Sequence, residues 1–224
     1  MASQLIHITL PDGTRKQVPT GCTVRDALTP QGGRLDGKIL AAKVNGAPMD
    51  LFHTLEHDAT VEPLTFESAE GREVYRHSST HIMAQAVKEV FPTAQLTIGP
   101  ALEDGFYYDF AFDRPFTPED LEKIEARAIE ITKRGLAVSR SELSKEDAIK
   151  FFQDLGEQYK VELINSFEDG APISLYRQGE FVDLCRGPHL PSTGYVGAFK
   201  LLSTGGAYWR GDERNPMLQR VYGT

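Results

Sequence analysis

The chain has 224 residues, of which 40% are hydrophobic and 25% are charged, as is typical of a globular protein that buries a core. No run approaches the length of about 18 apolar residues that a membrane-spanning helix needs, and the start "MASQLIHITLPDG" lacks the basic and apolar segments of a signal peptide, so a cytoplasmic protein with no membrane contact is expected. The net charge of −8 argues against broad, non-specific nucleic-acid binding.

The first 66 residues read as a small β-rich unit. Ile6 and Ile8 alternate with polar neighbours as in a half-buried strand, and "PDG" then marks a turn. "TVRDAL" has the start signature of a helix, with Thr23 followed three residues later by an acid. "KILAAKV" and "ATVEPL" read as strands, and "NG" at 45–46 indicates a hairpin. This order predicts a sheet that wraps over one helix.

Cys22, His53 and His57 of this unit have side chains that can bind metals or react, but none of them is predicted to belong to a functional site. Cys22 has no histidine nearby and is expected to be a free, half-buried thiol, since two distant cysteines do not indicate a disulfide framework. His53 and His57 lie four residues apart but lack a further ligand-type neighbour in the sequence. We expect both to be surface residues.

A boundary is expected near 66–71, where a polar, glycine-containing stretch precedes a helical pattern. The remainder, 67–224, is predicted to be an α+β domain with a mostly antiparallel sheet. Its three predicted helices span Glu73 to Phe91, the stretch capped by Thr117 and ended by Gly135, and the stretch between Ser144 and Gly156. The predicted strands include "GFYYDFAF", "YKVELI" and "EFVDLC".

Two pairs of ligand-type residues stand out in this second part. His77 and His81, in "RHSSTH", lie one turn apart on the first helix and flank its apolar face. Cys185 and His189, in "DLCRGPH", lie at a strand end and in the turn that follows, because glycine and proline interrupt any helix there. Two boundary histidines bonded to their neighbours would be the simpler explanation of the first pair.

Together these residues offer three imidazoles and one thiol, an inventory that suits tetrahedral Zn²⁺. The same groups could serve a metal-free site as acid, base and hydrogen-bond donors. Their spacing does not separate the two possibilities. A local basic strip is also present in 200–220, for which a solvated surface is the simpler reading and contact with a nucleic-acid end the alternative.

With "RHSSTH", "IGP…GFYYD", "EQYKV" and "DLCRGPHL" in this order, the sequence resembles the N-terminal TGS and editing domains of bacterial threonyl-tRNA synthetases. The resemblance covers essentially the whole chain and implies a β-grasp TGS domain at 1–66 and an editing domain at 67–224. A class II catalytic core and an anticodon-binding domain have no counterpart before Thr224. The chain is therefore expected to be a fragment or a freestanding editing protein without ligase activity. It is also expected to be a monomer, because the resemblance implies that the parent enzyme dimerises through its catalytic core.

The resemblance implies hydrolysis of serine wrongly esterified to the 3′ end of tRNA(Thr), with the threonyl ester spared. Serine is threonine without one methyl group, and one missing methyl supports only roughly 10–200-fold rejection by a binding pocket. A second pocket that crowds the extra methyl can supply the remaining discrimination. By resemblance to this family the site is also expected to work without a metal or other cofactor, although the related alanyl module holds zinc.

The resemblance also assigns roles. His77 contacts the terminal ribose and orients or deprotonates water, and Lys160, expected to alternate along a strand with apolar neighbours, stabilises the oxyanion or acts as a base. Asp183 binds the α-ammonium group, unless it is only an outward-facing strand carboxylate. Cys185 joins this catalytic set as a positioning group rather than a nucleophile, because water suffices to attack an activated ester. The expected substrate-binding residues are His81, His189 and one of Tyr107 and Tyr108.

Because His77 and Lys160 are expected to line a cleft rather than the core, replacing either by alanine should cut hydrolysis with little effect on the fold. The competing hypothesis is a regulatory TGS unit joined to a zinc-stabilised RNA-binding domain without catalysis. That hypothesis predicts that a chelator unfolds the protein. It leaves the presence of Lys160 and Asp183 beside the four ligand-type residues unexplained.

Overall fold

The computed structural model describes residues 4–224, which divide into two compact units. The first comprises the described residues up to Tyr75 together with Gly187–Pro191. The second comprises Arg76–Arg186 and Ser192–Thr224. Within the described residues, no helix combines the length and the apolar character needed to cross a bilayer.

Among its described residues, the first unit is a mixed sheet with one complete helix, the short α1 (Val24–Leu28). Five strands pair in the order β2-β1-β7-β4-β5, where β1 and β7 run parallel and the other neighbours run antiparallel. A further pair, β3 and β6, is antiparallel. The strands are β1 (Leu5–Thr9), β2 (Arg15–Pro19), β3 (Cys22–Thr23), β4 (Ile39–Val44), β5 (Ala47–Met49), β6 (Thr54–Leu55) and β7 (Ala59–Thr65).

Local sequence signals account for this unit. Ile6 and Ile8 point into its core while His7 between them is exposed, as the alternation predicts. Thr23 and Asp26 form a reciprocal capping box at the start of α1. Asn45 and Gly46 both have positive φ, 51° and 85°, which is the backbone that a two-residue hairpin between β4 and β5 requires.

The second unit contains two antiparallel sheets. One has the strand order β14-β15-β10-β8, with β9 also paired to β10, and the other has the order β11-β12-β13. The strands are β8 (Gln95–Leu96), β9 (Ala101–Leu102), β10 (Gly105–Ala111), β11 (Val138–Leu143), β12 (Ile173–Gln178), β13 (Phe181–Leu184), β14 (Leu201–Tyr208) and β15 (Met217–Gly223). The predicted α+β class with mostly antiparallel sheet is confirmed.

Four helices accompany these sheets in the part of the chain that the structure describes, not the three predicted. They are α2 (Ala69–Val90), α3 (Pro118–Arg134), α4 (Lys145–Asp154) and α5 (Gln158–Asn165). The caps of α3 follow its sequence: Thr117 accepts from the backbone of Asp120, and Gly135 ends the helix with a left-handed backbone, φ 58°. Helix α5 occupies the stretch "YKVELI" that the sequence predicts as a strand.

The error at α5 has a physical reason. Its residues alternate apolar and polar over a few positions, which favours a strand, but the two fully buried members are Lys160 and Ile164. Residues four apart share one face of a helix and not the alternate-face pattern of a strand. A hydrophobicity pattern identifies a buried helical face only by apolar residues at helical spacing. Because one of the two buried residues is a lysine, the pattern does not reveal this face.

Candidate active site

A cavity of about 740 Å³ lies within the second unit. Its walls come from α2, the segment that follows β8, strand β10, helix α5, the loop between α5 and β12, and the end of β13. Six of the predicted site residues line it: His77, His81, Tyr108, Lys160, Asp183 and Cys185. Elements far apart in the sequence therefore converge on one site.

A buried polar cluster joins three of these residues. Lys160 and Asp183 form an ion pair, with 2.6 Å between Nζ and Oδ1, and both side chains are almost fully buried, at 3% and 1% exposed. Tyr108 donates its hydroxyl proton to Asp183 Oδ2 at 2.7 Å and accepts from Lys160 Nζ at 3.0 Å. The backbone N–H of Leu184 donates to Asp183 Oδ1 at 2.7 Å. These contacts satisfy much of the hydrogen-bonding capacity of the buried charges, which such charges require.

One expectation about this cluster is wrong: Lys160 lies in a helix and not in the predicted strand. It does line the cavity, as expected of a cleft residue, although its side chain is almost fully buried. Asp183 lies in the predicted strand and its side chain is buried, which excludes the alternative of an outward-facing carboxylate. Burial raises the pKa of the Tyr108 hydroxyl well above its ordinary value, and the neighbouring Asp183 carboxylate adds to this shift. The tyrosine therefore stays protonated.

His77 and Cys185 form a second contact in the cavity. Nε2 of His77 lies 3.0 Å from Sγ of Cys185. Burial lowers the pKa of His77 below its ordinary 6.5, although the Asp183 carboxylate and a hydrogen bond with the backbone of Gly99 oppose that shift. The imidazole is therefore neutral near pH 7 and able to take up a proton. Cys185 follows the last residue of β13, as predicted, and its backbone pairs with that of Ser174.

His81 stands one turn further along α2. Its Nε2 lies 3.7 Å from Asp183 Oδ2, and burial lowers the pKa of His81 to about 3, with Asp183 opposing the shift and His77 and Lys160 adding to it. Both imidazoles of the "RHSSTH" motif are thus uncharged at neutral pH. A site with one ammonium, one carboxylate and two neutral imidazoles has no excess charge.

The metal question rests on the positions of three ligand atoms. One ligand atom each from His77, His81 and Cys185 lies within 4.8 Å of the others, close enough for nitrogen and sulfur ligands to share one tetrahedral Zn²⁺. These side chains therefore fit a zinc ion by type and spacing. The same side chains can also contact one another without a metal, because the 3.0 Å between His77 Nε2 and Cys185 Sγ is the length of a hydrogen bond to sulfur.

The two remaining predicted site residues do not line the cavity. His189 belongs to Gly187–Pro191, which groups with the first unit; it is buried there, and its backbone N–H donates to Asp50 at 2.6 Å. Tyr107 does not line the cavity: the Arg220 guanidinium lies 3.8 Å from its ring centroid, on the face of β10 opposite to Tyr108. Tyr108 is therefore the member of the pair that reaches the site.

Sequence reasoning did not single out several residues that shape the site. Gly99 approaches Tyr108 so closely that a Cβ there would lie 2.1 Å from the ring carbon Cδ2. Ser174 donates to the backbone carbonyl of Cys185 at 2.5 Å, and Gln178 donates to that of His81 at 3.1 Å. The serine and glutamine carry no motif, so only the fold could reveal them.

The basic strip at 200–220 is balanced by its neighbours. Each of its four basic residues contacts a carboxylate or a carbonyl, which supports the reading as ordinary surface. The contacts are Lys200–Glu125 at 2.8 Å, Arg210 with the Glu162 carbonyl at 3.3 Å, Arg214–Asp212 at 2.6 Å and Arg220–Asp109 at 2.8 Å.

Comparison with known families and proteins is consistent with this architecture. Residues 6–65 match the TGS domain, and residues 173–222 match the family described as the threonyl and alanyl tRNA synthetase second additional domain. The chain carries both of these domains. The resemblance found in the sequence is confirmed.

The similarity extends over the whole chain. It is 55% identical over 222 residues to a threonine–tRNA ligase of Symbiobacterium thermophilum, covering 99% of this chain and 34% of that protein. A threonine–tRNA ligase of Acidithiobacillus ferrooxidans is 56% identical over 220 residues, with 97% and 34% covered, and one of Citrifermentans bemidjiense is 54% identical over 220 residues, with 98% and 34% covered. The chain thus spans about a third of the length of the curated relatives it matches.

Proposed function

We propose that this chain hydrolyses the ester of a mischarged aminoacyl-tRNA, releasing serine from tRNA(Thr) and sparing the threonyl ester. In this proposal the TGS domain occupies residues 1–66 and the deacylase domain residues 67–224. The observation that carries it is the buried Tyr108–Lys160–Asp183 cluster next to the His77–Cys185 pair in one cavity. The relatives are named threonine–tRNA ligases, and such enzymes must separate two amino acids that differ by one methyl group.

The hydrogen bonds of the cluster leave one donor on Lys160 and one acceptor site on Asp183 for the substrate. Lys160 has three ammonium protons, of which Asp183 and Tyr108 take two among the described residues, so the third is available to the ester carbonyl oxygen. Charge that develops on that oxygen is stabilised by a preorganised cation in a water-poor site. Asp183 Oδ2 receives Tyr108 and keeps a lone pair for the α-ammonium group of the aminoacyl ester.

His77 is the proposed general base. Burial keeps its imidazole neutral, so it can accept a proton from the attacking water and return it to the departing ribose hydroxyl. Without substrate Cys185 occupies Nε2 of His77, and the attacking water replaces the thiol at this nitrogen when it passes its proton to the ring; Cys185 needs no covalent role. The reaction is then water plus ester giving serine and a free 3′-terminal ribose hydroxyl, with the proton passing through His77.

The test measures deacylation of seryl-tRNA(Thr) and threonyl-tRNA(Thr) by the unaltered chain, its His77→Ala variant and a His57→Ala control. His57 is an exposed histidine in the first unit, so its variant controls for the loss of an imidazole. We expect loss of serine well above the spontaneous rate, retention of threonine, and a decrease of roughly 10²–10⁴-fold for His77→Ala alone. Equal rates for both esters, or equal rates for the two variants, would contradict the proposal.

A non-catalytic zinc-stabilised RNA-binding module is the second candidate, favoured by the close approach of the His77, His81 and Cys185 ligand atoms. It predicts stoichiometric zinc in protein purified without added metal and unfolding by a chelator. We expect substoichiometric zinc and unchanged thermal unfolding in the presence of chelator. Elemental analysis and a melting curve of the same preparation separate the two candidates.

A further inference from the structure

We infer that Gln178 is a positioning residue of the proposed deacylation, which ties the helix that carries the two imidazoles to the sheet that carries Asp183. A second residue, Glu89, sets the orientation of the Gln178 carboxamide through Gln85. The inference rests on the proposed function and extends it to residues outside the cavity, because none of these three residues lines it.

Gln178 connects two elements of the site. It is the last residue of β12 and only 4% exposed, and β12 pairs with β13, the strand of Asp183. Its Nε2 donates to the backbone carbonyl of His81 at 3.1 Å and to Oε1 of Gln85 at 2.8 Å. An amide nitrogen has two protons, so Gln178 spends both of its donors on α2. The helix is therefore tied to the sheet at a point away from the reacting groups.

The orientation of this tie is set by a carboxylate. A glutamine amide can exchange the places of its oxygen and its NH₂ group unless its partners distinguish the two. Gln85 Nε2 donates at 2.8 Å to Oε1 of Glu89, and a carboxylate only accepts. Gln85 must therefore turn its oxygen towards Gln178, and Gln178 must turn its NH₂ group towards α2. Glu89 is itself held by Arg127 at 3.2 Å and Arg134 at 3.0 Å.

The tie matters because the reacting groups face each other across the same two elements. His77 lies 3.0 Å from Cys185 Sγ, and His81 lies 3.7 Å from Asp183 Oδ2. A reversed carboxamide of Gln178 would bring its oxygen against the His81 carbonyl oxygen, and the helix would have to move away. A misplacement of about 1 Å can cost roughly 10²-fold in rate.

The deciding experiment compares Glu89→Met with Glu89→Gln. Both variants remove the negative charge, but glutamine still offers an oxygen to Gln85, whereas a methionine sulfur is only a weak acceptor. The Glu89 side chain is 27% exposed, so neither variant opens the core. Gln178→Met removes both donors directly. Arg127→Met is the control, because it removes a contact of Glu89 and leaves the bonds from Glu89 to Gln178 in place.

The first measurement is deacylation of seryl-tRNA(Thr). We expect Glu89→Met and Gln178→Met to lower kcat by on the order of 10-fold with KM nearly unchanged, because the base on α2 moves while Asp183, on β13, keeps its place. Glu89→Gln and Arg127→Met should keep the kcat of the unaltered chain. A residue that only supported the fold would change thermal stability without changing kcat of the folded protein. Equal kcat values for Glu89→Met and Glu89→Gln would overturn the inference.

The second measurement needs no turnover. The ring signals of the histidines on α2 are recorded by NMR at one fixed neutral pH, where the Phe181 ring, edge-on to His81 with 6.2 Å between centroids, makes the His81 signals sensitive to position. We expect these signals to shift in Glu89→Met and Gln178→Met and to stay in place in Glu89→Gln. Unshifted signals in the two methionine variants would refute the tie alone. Shifted signals in a chain that hydrolyses neither ester would refute the proposed reaction and keep the tie.

Discussion

Removing the ammonium group of Lys160 should destabilise the second unit strongly. Lys160→Met keeps most of the side-chain volume and removes only the charge and its hydrogen bonds. The ion pair with Asp183 is almost completely buried, with its two side chains 3% and 1% exposed. Breaking such a pair by deleting one partner costs about 3–5 kcal/mol, because the other charge is left buried without compensation. That is a large share of the roughly 5–15 kcal/mol that stabilises a typical domain.

The size of this effect depends on the charge that remains, so a double-mutant cycle isolates it. Asp183→Asn alone leaves a buried ammonium, and Lys160→Met alone leaves a buried carboxylate, whereas the double variant leaves neither. The costs of the two single variants should therefore fail to add, by on the order of 2 kcal/mol. Activity, in contrast, should be lost in all three variants, since both groups are proposed to contact substrate.

Urea unfolding followed by tryptophan fluorescence provides the assay. The chain has one tryptophan, Trp209, which is buried in the second unit and donates to Glu162 of α5 at 3.0 Å, so the probe reports on the helix that carries Lys160. Lys150→Met, on the exposed side of α4, is the matched control and should change stability by less than about 0.5 kcal/mol. The reasoning fails if Lys160→Met is as mild as this control, or if the two single costs simply add.

Two further predictions concern pH and steric fit. The pKa of His81 is about 3 in the folded chain and near 6.5 in the unfolded chain, so between these pH values only the unfolded state binds the proton. The contribution of His81 to the free energy of unfolding is therefore fully present above pH 6.5. It falls as the pH drops towards 3, by up to about 1.4 kcal/mol per pH unit. Urea midpoints at pH 7, 6 and 5 should show a shallower acid slope for His81→Asn, and equal slopes would count against it. Gly99→Ala places a methyl group against the Tyr108 ring and should lower the rate of deacylation at least 10-fold. The control is Gly197→Ala, where a Cβ has no neighbour within 4 Å. Unchanged deacylation kinetics for Gly99→Ala would show that the Tyr108 ring can shift without loss of function.

The sequence was sufficient wherever the signal was local. The capping residues Thr23 and Thr117, the Asn45–Gly46 hairpin and the glycine that ends α3 each act on their own few neighbours, and each appears in the structure as predicted. The one-turn spacing of His77 and His81 on α2 is local in the same sense. Such features depend on backbone geometry within one element and not on the rest of the fold.

The sequence was insufficient where burial decided the outcome. The sequence does not indicate that Lys160 is buried, because lysine rarely is, and only the carboxylate of Asp183, which is distant in sequence, stabilises its ammonium group in the interior. The choice between Tyr107 and Tyr108 also required the fold, since alternation places the two rings on opposite faces without indicating which face holds the cavity. Both failures occur at the candidate site, where nonlocal charge pairing overrides local preference.

The neutral state of the two imidazoles connects these observations to the proposed reaction. The substrate brings an α-ammonium group next to Asp183, into a cavity that already holds the ammonium of Lys160. A protonated His77 or His81 would add a third positive charge at short range in a poorly solvated site, where such repulsion is strong. Burial lowers the pKa of both rings and so removes that repulsion, and it leaves His77 in the neutral form that can accept a proton. Acidification should then act twice on deacylation, because protonation of His77 both removes the base and repels the substrate, so kcat falls and KM rises on the same side of the pH profile.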